Sequence, residues 1–403
     1  MKKYVPISQD DALCRLQGVG GLDSVALRRV AMANRKSREC TLLGLVLVIL
    51  GVILAGAGLS GCATPLGPPP PGAKTRVYVA DITQNSLSVF IIDDIVSGSL
   101  RSLPPIAVSC NGPAALVKAP SGKFAYVLCA HSNQFSGFVI DQATNDLRPA
   151  GTFTTGNNPV AAAIDPGSRF LYVANGGSNT VTCYTLDSST GAATAIAGST
   201  VTTNFAPNGL AMDPLAGFLY VSTAFGNSGD VEGFSIDAVT GKLTPLAGSP
   251  FASFVATGLQ VHPSGKYVYV SDEVNGIRAF SISGMGGLVE IAGSPFAAGN
   301  EPFGVSVDPT GRLLYATNFV SSDVSGFSID ANTGKLLAVP RSPFAVGPGP
   351  DRAVVDTFGL YLYVPDSNDN TVRAYSIKQD GSLTAVSGSP FAATGALDVM
   401  TTP

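Results

Sequence analysis

The sequence predicts an all-β chain closed into a seven-bladed β-propeller. Three observations predict it: a tyrosine that recurs seven times, a pair of strand-like segments at each recurrence, and a C-terminal segment that supplies the strand missing from the first unit. Tyr78, Tyr126, Tyr172, Tyr220, Tyr269, Tyr315 and Tyr363 are spaced 48, 46, 48, 49, 46 and 48 residues apart. Self-similarity at such a period is the signature of a repeat architecture. Each tyrosine lies in a short β-like run, from RVYVAD and FAYVLC to LLYATN and YLYVPD. A second apolar segment follows each run, as in SGFVID, VEGFSID and VRAYSIK. Four units then carry Ser-Pro-Phe, at 249–251, 294–296, 342–344 and 389–391.

One unit shows the strand plan. Phe303–Val307 alternates and forms the innermost strand, and Asp308-Pro309-Thr310-Gly311 makes a turn in which Pro presets φ and Gly accepts a positive φ. Leu313–Asn318 and Val324–Ile329 are the second and third strands, Asp330 to Gly334 a second turn, and Leu336–Val339 the lead into the fourth strand. Four antiparallel strands in about 47 residues describe one propeller blade. The first unit begins directly at the Tyr78 strand, and Ala396-Leu397-Asp398-Val399-Met400-Thr401 resembles an innermost strand. The tail is therefore expected to complete the first blade, because an open ring would leave strand edges unpaired. An open solenoid is the competing reading of the period. The position three after each Tyr is Asp or Asn in five units, Asp81, Asn175, Asp272, Asn318 and Asp366, types that cap tight turns. The residue before the third-strand aromatic is small (Gly137, Cys183, Gly233, Ala279, Gly326, Ala374), which is expected to let neighbouring sheets approach.

Composition agrees with this class. Only 13% of residues are charged, Gly (46) and Pro (28) are abundant, and Trp is absent. A disordered chain would be more charged and less apolar.

The chain divides at its N-terminus into residues 1–61, 62–75 and 76–403. Thr41 to Ala57 is an apolar run preceded by Arg35, Lys36 and Arg38, and Leu59-Ser60-Gly61-Cys62 follows it. This is the form of a secretory signal, and Met32 opens a stretch of ordinary signal length. The ending resembles the lipobox of bacterial lipoproteins. That resemblance implies lipidation of Cys62, cleavage before it and attachment to the cell envelope. Ala63 in place of Asp points to the outer membrane rather than the inner. A plain transmembrane anchor is the alternative, although the run is short for a span of about 20 residues. Residues 63–74 form a Pro/Gly-rich spacer. Beyond residue 61 the chain carries 16 basic and 24 acidic residues. No basic stripe remains, which disfavours nucleic-acid binding. A monomer is expected.

YVADITQNSLSV, YVANGGSNTV and YVPDSNDNTV resemble the YVTN-type propeller repeat, and HPSGKYVYVSDEVNG (262–276) resembles the lactonase family of seven-bladed propellers. The resemblance covers about 76–403. It implies the propeller fold and, as an expectation, hydrolysis of a lactone of the 6-phosphogluconolactone type. The cytoplasmic members commonly carry Gly-Pro-Arg-His ahead of the His-Pro turn. Here the equivalent stretch is Val255-Ala256-Thr257-Gly258, and Gly349-Pro350-Asp351-Arg352 keeps an Arg without a His. His262 and Glu273 match that family's pattern, but His262 takes the turn position that Asp165, Asp213 and Asp308 hold in other blades. An envelope protein would not meet a cytosolic sugar phosphate, so any lactone cleaved would be a different one.

With two His in the chain, a site built on several His ligands is excluded, and no cofactor or metal is expected. The links entering the inner strands and those between second and third strands should share one face around the channel mouth. His131, Asn158, Asn208, Asp272, Glu273, Glu301, Asn318, Asp351, Arg352 and Asp366 are expected there. Glu273 could serve as a base for water and Arg352 as the donor to a carbonyl oxygen; the alternative is that these are solvated loop groups. Cys110 precedes the innermost strand of blade 2 and Cys129 ends the neighbouring strand, so antiparallel pairing brings them together and a disulfide is expected, while Cys183 is expected to be a buried thiol. The reading expected first is a display module that binds a protein, glycan or small ligand; the alternative is an envelope lactone hydrolase, and a structural envelope component is a third option.

Overall fold

The computed structural model describes residues 75–92 and 97–402. The N-terminal extension, the apolar run, Cys62 and the spacer through Lys74 lie outside the described residues. Every regular element among the described residues is a strand. Seven antiparallel sheets are formed. The second strands of blades 1 to 7 are Arg76–Asp81, Phe124–Cys129, Phe170–Asn175, Phe218–Phe225, Tyr267–Asp272, Leu313–Asn318 and Tyr361–Asp366. The inner strands of blades 2 to 7 are Pro113–Lys118, Pro159–Ile164, Pro207–Met212, Ala256–Val261, Pro302–Val307 and Val354–Val355. The inner strand of blade 1 is Ala396–Thr401, which pairs antiparallel with Arg76–Asp81. The ring is therefore closed by the chain's last strand, as its sequence predicts.

Burial explains why the repeat holds together. The second strands are buried along almost their whole length because both faces of each blade pack against neighbours. The core is accordingly seven clusters, one at each seam between blades. Strands alternate in direction, so the turns joining strands one–two and three–four share one face, the turn face. The links joining strands two–three and four–one share the other, the mouth face.

The recurrent tyrosine bonds one blade to the next. The Tyr126, Tyr172, Tyr220, Tyr269 and Tyr315 hydroxyls donate to the carbonyls of Gly191, Gly241, Gly286, Gly334 and Gly381 at 2.8–2.9 Å. Each acceptor lies in the three–four turn of the following blade. Tyr78 does the same to Asn145. The acceptors have φ between 59° and 81°, which explains Gly in five copies and Asn in one. At Gly241 a Cβ would also stand 2.4 Å from the Phe170 ring. Tyr363 differs: its buried hydroxyl has no partner among the described residues, although Gly98, in the corresponding turn of blade 1, packs against Tyr361. Tyr→Phe at any of the other six should cost about 1–2 kcal/mol, since it leaves a turn carbonyl unpaired. Tyr363→Phe should stay within about 0.5 kcal/mol. Thermal unfolding of the seven single variants checks this; a uniform loss across all seven contradicts it.

The small third-strand residues lie at the seams, where Cys183, Ala279 and Ala374 pack with residues of the next blade, and they also make room within their own blade. Gly137, Cys183, Gly233, Ala279, Gly326 and Ala374 stand directly across from the tyrosines. A Cβ on Gly233 would lie 2.5 Å from the Phe251 ring, and one on Gly326 3.1 Å from Phe344. Both rings belong to the same blade's own Ser-Pro-Phe segment, so the small residue makes room for that blade's outer edge. The serines complete the arrangement. Ser249, Ser294, Ser342 and Ser389 accept the N–H of Gly233, Ala279, Gly326 and Ala374 at 2.9–3.2 Å.

A disulfide joins Cys110 to Cys129, with Cα atoms 5.8 Å apart. Cys183 is a buried free thiol whose pKa is pushed up to about 11 by burial.

Candidate functional site

The inner strands carry one repeat position to the same level of the central channel. Their registers against the second strands align Asp398, Ala115, Ala161, Gly209, Gly258, Gly304 and Arg352, one residue from each of blades 1 to 7. Five of the seven are Gly or Ala, because inner strands crowd each other near the axis. A Cβ on Gly258 would stand 2.4 Å from the Phe303 carbonyl oxygen. The two exceptions, Arg352 and Asp398, are charged and belong to adjacent blades, 7 and 1. All seven residues line a cavity of about 220 Å³.

Arg352 crosses this channel. Its Nη2 donates to the Asn208 carbonyl of blade 4 at 2.9 Å, and its guanidinium carbon lies 5.5 Å from the centre of the Phe303 ring. Asp398 is held by backbone: Oδ2 accepts the Leu116 N–H at 2.7 Å and Oδ1 the Val399 N–H at 2.9 Å. Burial pushes the Asp398 carboxyl up to about 7; the Arg352 charge and the two N–H groups pull it down, and the Asp351 carboxylate adds to the rise. Asp351 accepts the Arg352 N–H at 2.9 Å and is itself raised by burial to about 6. Near the turn-face end of the channel, the Lys118 ammonium donates to the Thr401 carbonyl at 2.8 Å, and burial lowers its pKa to about 8.

This arrangement has the parts of an acyl-transfer site: a carboxyl near its midpoint at neutral pH, a fixed cation, and a small cavity that both line. Arg352, Asp351 and Asn208 are the sequence-predicted residues that meet here, Asn208 through its main chain. Asp398 was not among them. The signal that finds it is the repeat itself: a position small in five blades and charged in two neighbouring ones.

The other predicted residues lie elsewhere. Glu273 and Glu301 line a separate groove of about 390 Å³ with Asn275 and Asn300, between blades 5 and 6. Burial, and then the Glu301 charge, raise the Glu273 carboxyl. Glu273 and Arg352 thus line different cavities. Asp272 is buried beneath the groove, where it pairs with Arg278 at 2.7 Å and accepts the N–H groups of Val274 and Asn275. Asp366 is likewise paired with Arg373 at 2.6 Å, and Asn318 is bound to Asp323 and Ser325. Asn158 has φ 52° and donates its N–H to Asn133. His131 is exposed on the second link of blade 2 and packs beside Gly112. His262 sits on the turn face, with its ring nitrogens 2.7 Å from the Ser264 hydroxyl and 2.8 Å from the Gly311 carbonyl. Burial lowers its pKa, as suits a neutral turn residue. Among the described residues no group of three or more His, Cys, Asp or Glu is placed to hold a metal ion.

Known proteins share this architecture. A 6-phosphogluconolactonase of Yersinia pestis is 28% identical over 142 residues, 34% of this chain and 42% of the relative, so the match spans less than half of that protein's length. A Bacteroides fragilis structure, provisionally assigned as a 6-phosphogluconolactonase, superposes with a TM-score of 0.69 at 19% identity. That superposition covers 83% of this chain and 100% of the other. The periplasmic gluconolactonase of Pseudomonas aeruginosa superposes with a TM-score of 0.67 at 16% identity over 82% and 99% of the two chains. At these identities the superpositions speak for the fold alone. The family model for the lactonase, 7-bladed beta-propeller, matches residues 74–255 and 250–350. This chain therefore belongs to the lactonase family of seven-bladed β-propellers.

Proposed function

We propose that the chain hydrolyses a lactone within its central channel, with Asp398 as the base and Arg352 as the electrostatic donor. The observation that carries this reading is the pair of charged residues on adjacent blades at a channel position that is otherwise Gly or Ala. The Asp398 carboxylate takes a proton from water as the water oxygen bonds to the lactone carbonyl carbon. The Arg352 guanidinium stabilises the oxyanion that develops. The carbonyl re-forms as the ring C–O bond breaks, the ring oxygen recovers the proton from the Asp398 carboxyl, and a hydroxy acid leaves. Membership of the lactonase family supports the reaction class. The substrate is an uncharged lactone: the channel lining carries one cation and one carboxylate, no surplus of positive charge for a phosphate dianion.

Hydrolysis of a panel of five- and six-membered aldonolactones, followed by pH-stat and corrected for spontaneous opening, tests the reading. Wild type should show saturable hydrolysis, and Glu273→Gln should keep it to within about threefold, because a surface change outside the site leaves transition-state contacts intact. Absence of turnover in wild type on every lactone would leave a non-catalytic binding module. Loss of turnover in Glu273→Gln would move the base to the groove between blades 5 and 6.

A further inference from the structure

We propose that Asp230 and Glu232 are positioning residues for Arg352: they clasp the link that enters the inner strand of blade 4, and that link aims the Asn208 carbonyl on which the guanidinium is held. The role rests on the reading of Arg352 as the electrostatic donor. The Arg352 side chain starts in blade 7 and ends across the channel, where its Nη2 donates to the Asn208 carbonyl at 2.9 Å. The position of its charge therefore depends on where blade 4 places that oxygen.

Asn208 is not fixed by its own ladder. The register between the inner strand and Phe218–Phe225 shifts between Pro207 and Gly209, which leaves Asn208 as an extra residue without a cross-strand partner. Such a residue takes its direction from the backbone on either side. On one side Gly209 is tightly packed, and a Cβ there would stand 2.8 Å from the Leu259 side chain and from the Ser222 hydroxyl. On the other side lies the link, residues 203–206.

That link hangs from two buried carboxylates. Glu232 accepts the Asn204 N–H at 2.7 Å, and Asp230 accepts the Asn204 side-chain amide at 2.8 Å. Asp230 is itself fixed by the Thr223 hydroxyl, which donates to it at 2.6 Å. Beyond Asn204, the Ala206 carbonyl accepts the Ala224 N–H at 2.9 Å. Burial raises the Glu232 carboxyl to about 7; the Asn204 N–H pulls it down and the Asp230 charge adds to the rise.

This support departs from the repeat. The links into the inner strands of blades 2, 3 and 6 donate an N–H to Ser132, Ser178 and Ser321, each in the connection between second and third strands. In blade 4 those strands run on until Phe225 pairs with Ser228, so the connection shrinks to a two-residue turn. The third strand supplies the acceptor instead. Glu232 stands across from Val221, at the position that Ser88, Ser136, Thr182, Arg278, Ser325 and Arg373 fill in the other blades. Blade 7 also hangs a link N–H on a carboxylate, but that Asp366 is paired with Arg373. The blade that holds Arg352 is thus the one in which this position is acidic.

The test uses full-length wild type, Glu232→Ala, Glu232→Gln, Arg352→Gln and the double variant of Glu232→Ala with Arg352→Gln. On a hydrolysed lactone, Glu232→Ala should lower kcat about 10-fold and leave KM within about twofold, because a displaced Arg352 is felt in the transition state. It should move the pH midpoint of kcat/KM upward, in the direction expected of Arg352→Gln, and should add no further loss to Arg352→Gln. Glu232→Gln, whose amide oxygen still receives the Asn204 N–H, should recover most of the loss. Melting temperatures read the coupling without turnover: the double variant should melt about 2 °C or more above the value given by adding the two single shifts. If Glu232→Ala does not fold, Asn204→Ala, at an exposed position, removes the bond to Asp230 and enters the same cycle. Additive melting shifts, or an unchanged pH midpoint, overturn the proposal. Non-additive shifts in a protein that cleaves no lactone would keep the clasp and remove the donor reading alone.

Discussion

Asp398→Asn should lower kcat/KM on a hydrolysed lactone by about 10²–10⁴-fold at pH 8, and the same variant should melt at a higher temperature than wild type. The two effects share one cause. The folded channel raises the Asp398 carboxyl to about 7 by burial, whereas an unfolded Asp titrates near 3.9. The folded state therefore binds this proton more tightly than the unfolded state does. Stability contributed by the group is present below about pH 4 and falls as pH rises toward 7; above 7 the ionised buried carboxylate imposes its full cost. Asn removes that ionisation and keeps an oxygen for the Leu116 N–H. The gain at pH 8 should be on the order of 1–3 kcal/mol, discounted for relaxation of the site, and should vanish near pH 4. Melting curves of wild type and variant from pH 4 to 9 measure it directly. A variant that loses activity and is less stable at every pH would make Asp398 a structural group.

The same titration sets the pH profile of the reaction. A base must be unprotonated to accept a proton from water, so wild-type kcat/KM should rise with pH about a midpoint near 7. Arg352→Gln should depress activity by about 10²–10³-fold and move this midpoint upward, because the guanidinium is the largest influence holding the Asp398 carboxyl down. Initial rates between pH 5.5 and 8.5, corrected for uncatalysed opening, give the midpoint. A profile flat across that range excludes Asp398 as the base.

Repetition made the scaffold legible in the sequence, and it concealed the site. Tyr315 and its six counterparts recur because each fills the same seam, so their spacing alone marks the blades. The strands read from the unit at 302–339 lie within about a residue of those observed. Site chemistry breaks the repeat and occurs once, so no period reports it. Charged residues near turns, such as Asp272 and Asp366, read as candidates, yet Asp272 is spent on Arg278 and its own turn N–H groups and Asp366 on Arg373 and the Gly347 N–H. Ser-Pro-Phe marked a repeated element, but its role needs coordinates: only there does Phe251 lie over Gly233 while Ser249 accepts its N–H. Asp398 lay within a segment already recognised as the closing strand, where its alignment with Gly304 and Gly258 in the channel depends on the registers of the paired strands.

Deleting residues 395–403 should abolish the cooperative unfolding of the propeller. The lost strand, Ala396–Thr401, is the whole inner strand of blade 1 and supplies contacts to both flanking seams. Ala396 and Val399 belong to the cluster between blades 7 and 1, and Met400 to the cluster between blades 1 and 2. Burying side chains the size of Val399 and Met400 contributes about 1.5–3 kcal/mol each, and the deletion also removes the Thr401 acceptor of Lys118 and the Thr402 hydroxyl that receives the Arg76 N–H. It leaves the buried Arg76–Asp81 strand with an unpaired edge. Against a typical total of about 5–15 kcal/mol, that loss is enough to unfold the domain. The truncated chain should show no sharp calorimetric transition, and a synthetic peptide of residues 394–403 should restore one by rebuilding blade 1 in trans. A truncated protein that keeps its full transition temperature would mean that the seven seams are strong enough without closure, and that the last strand serves only to carry Asp398 into the channel.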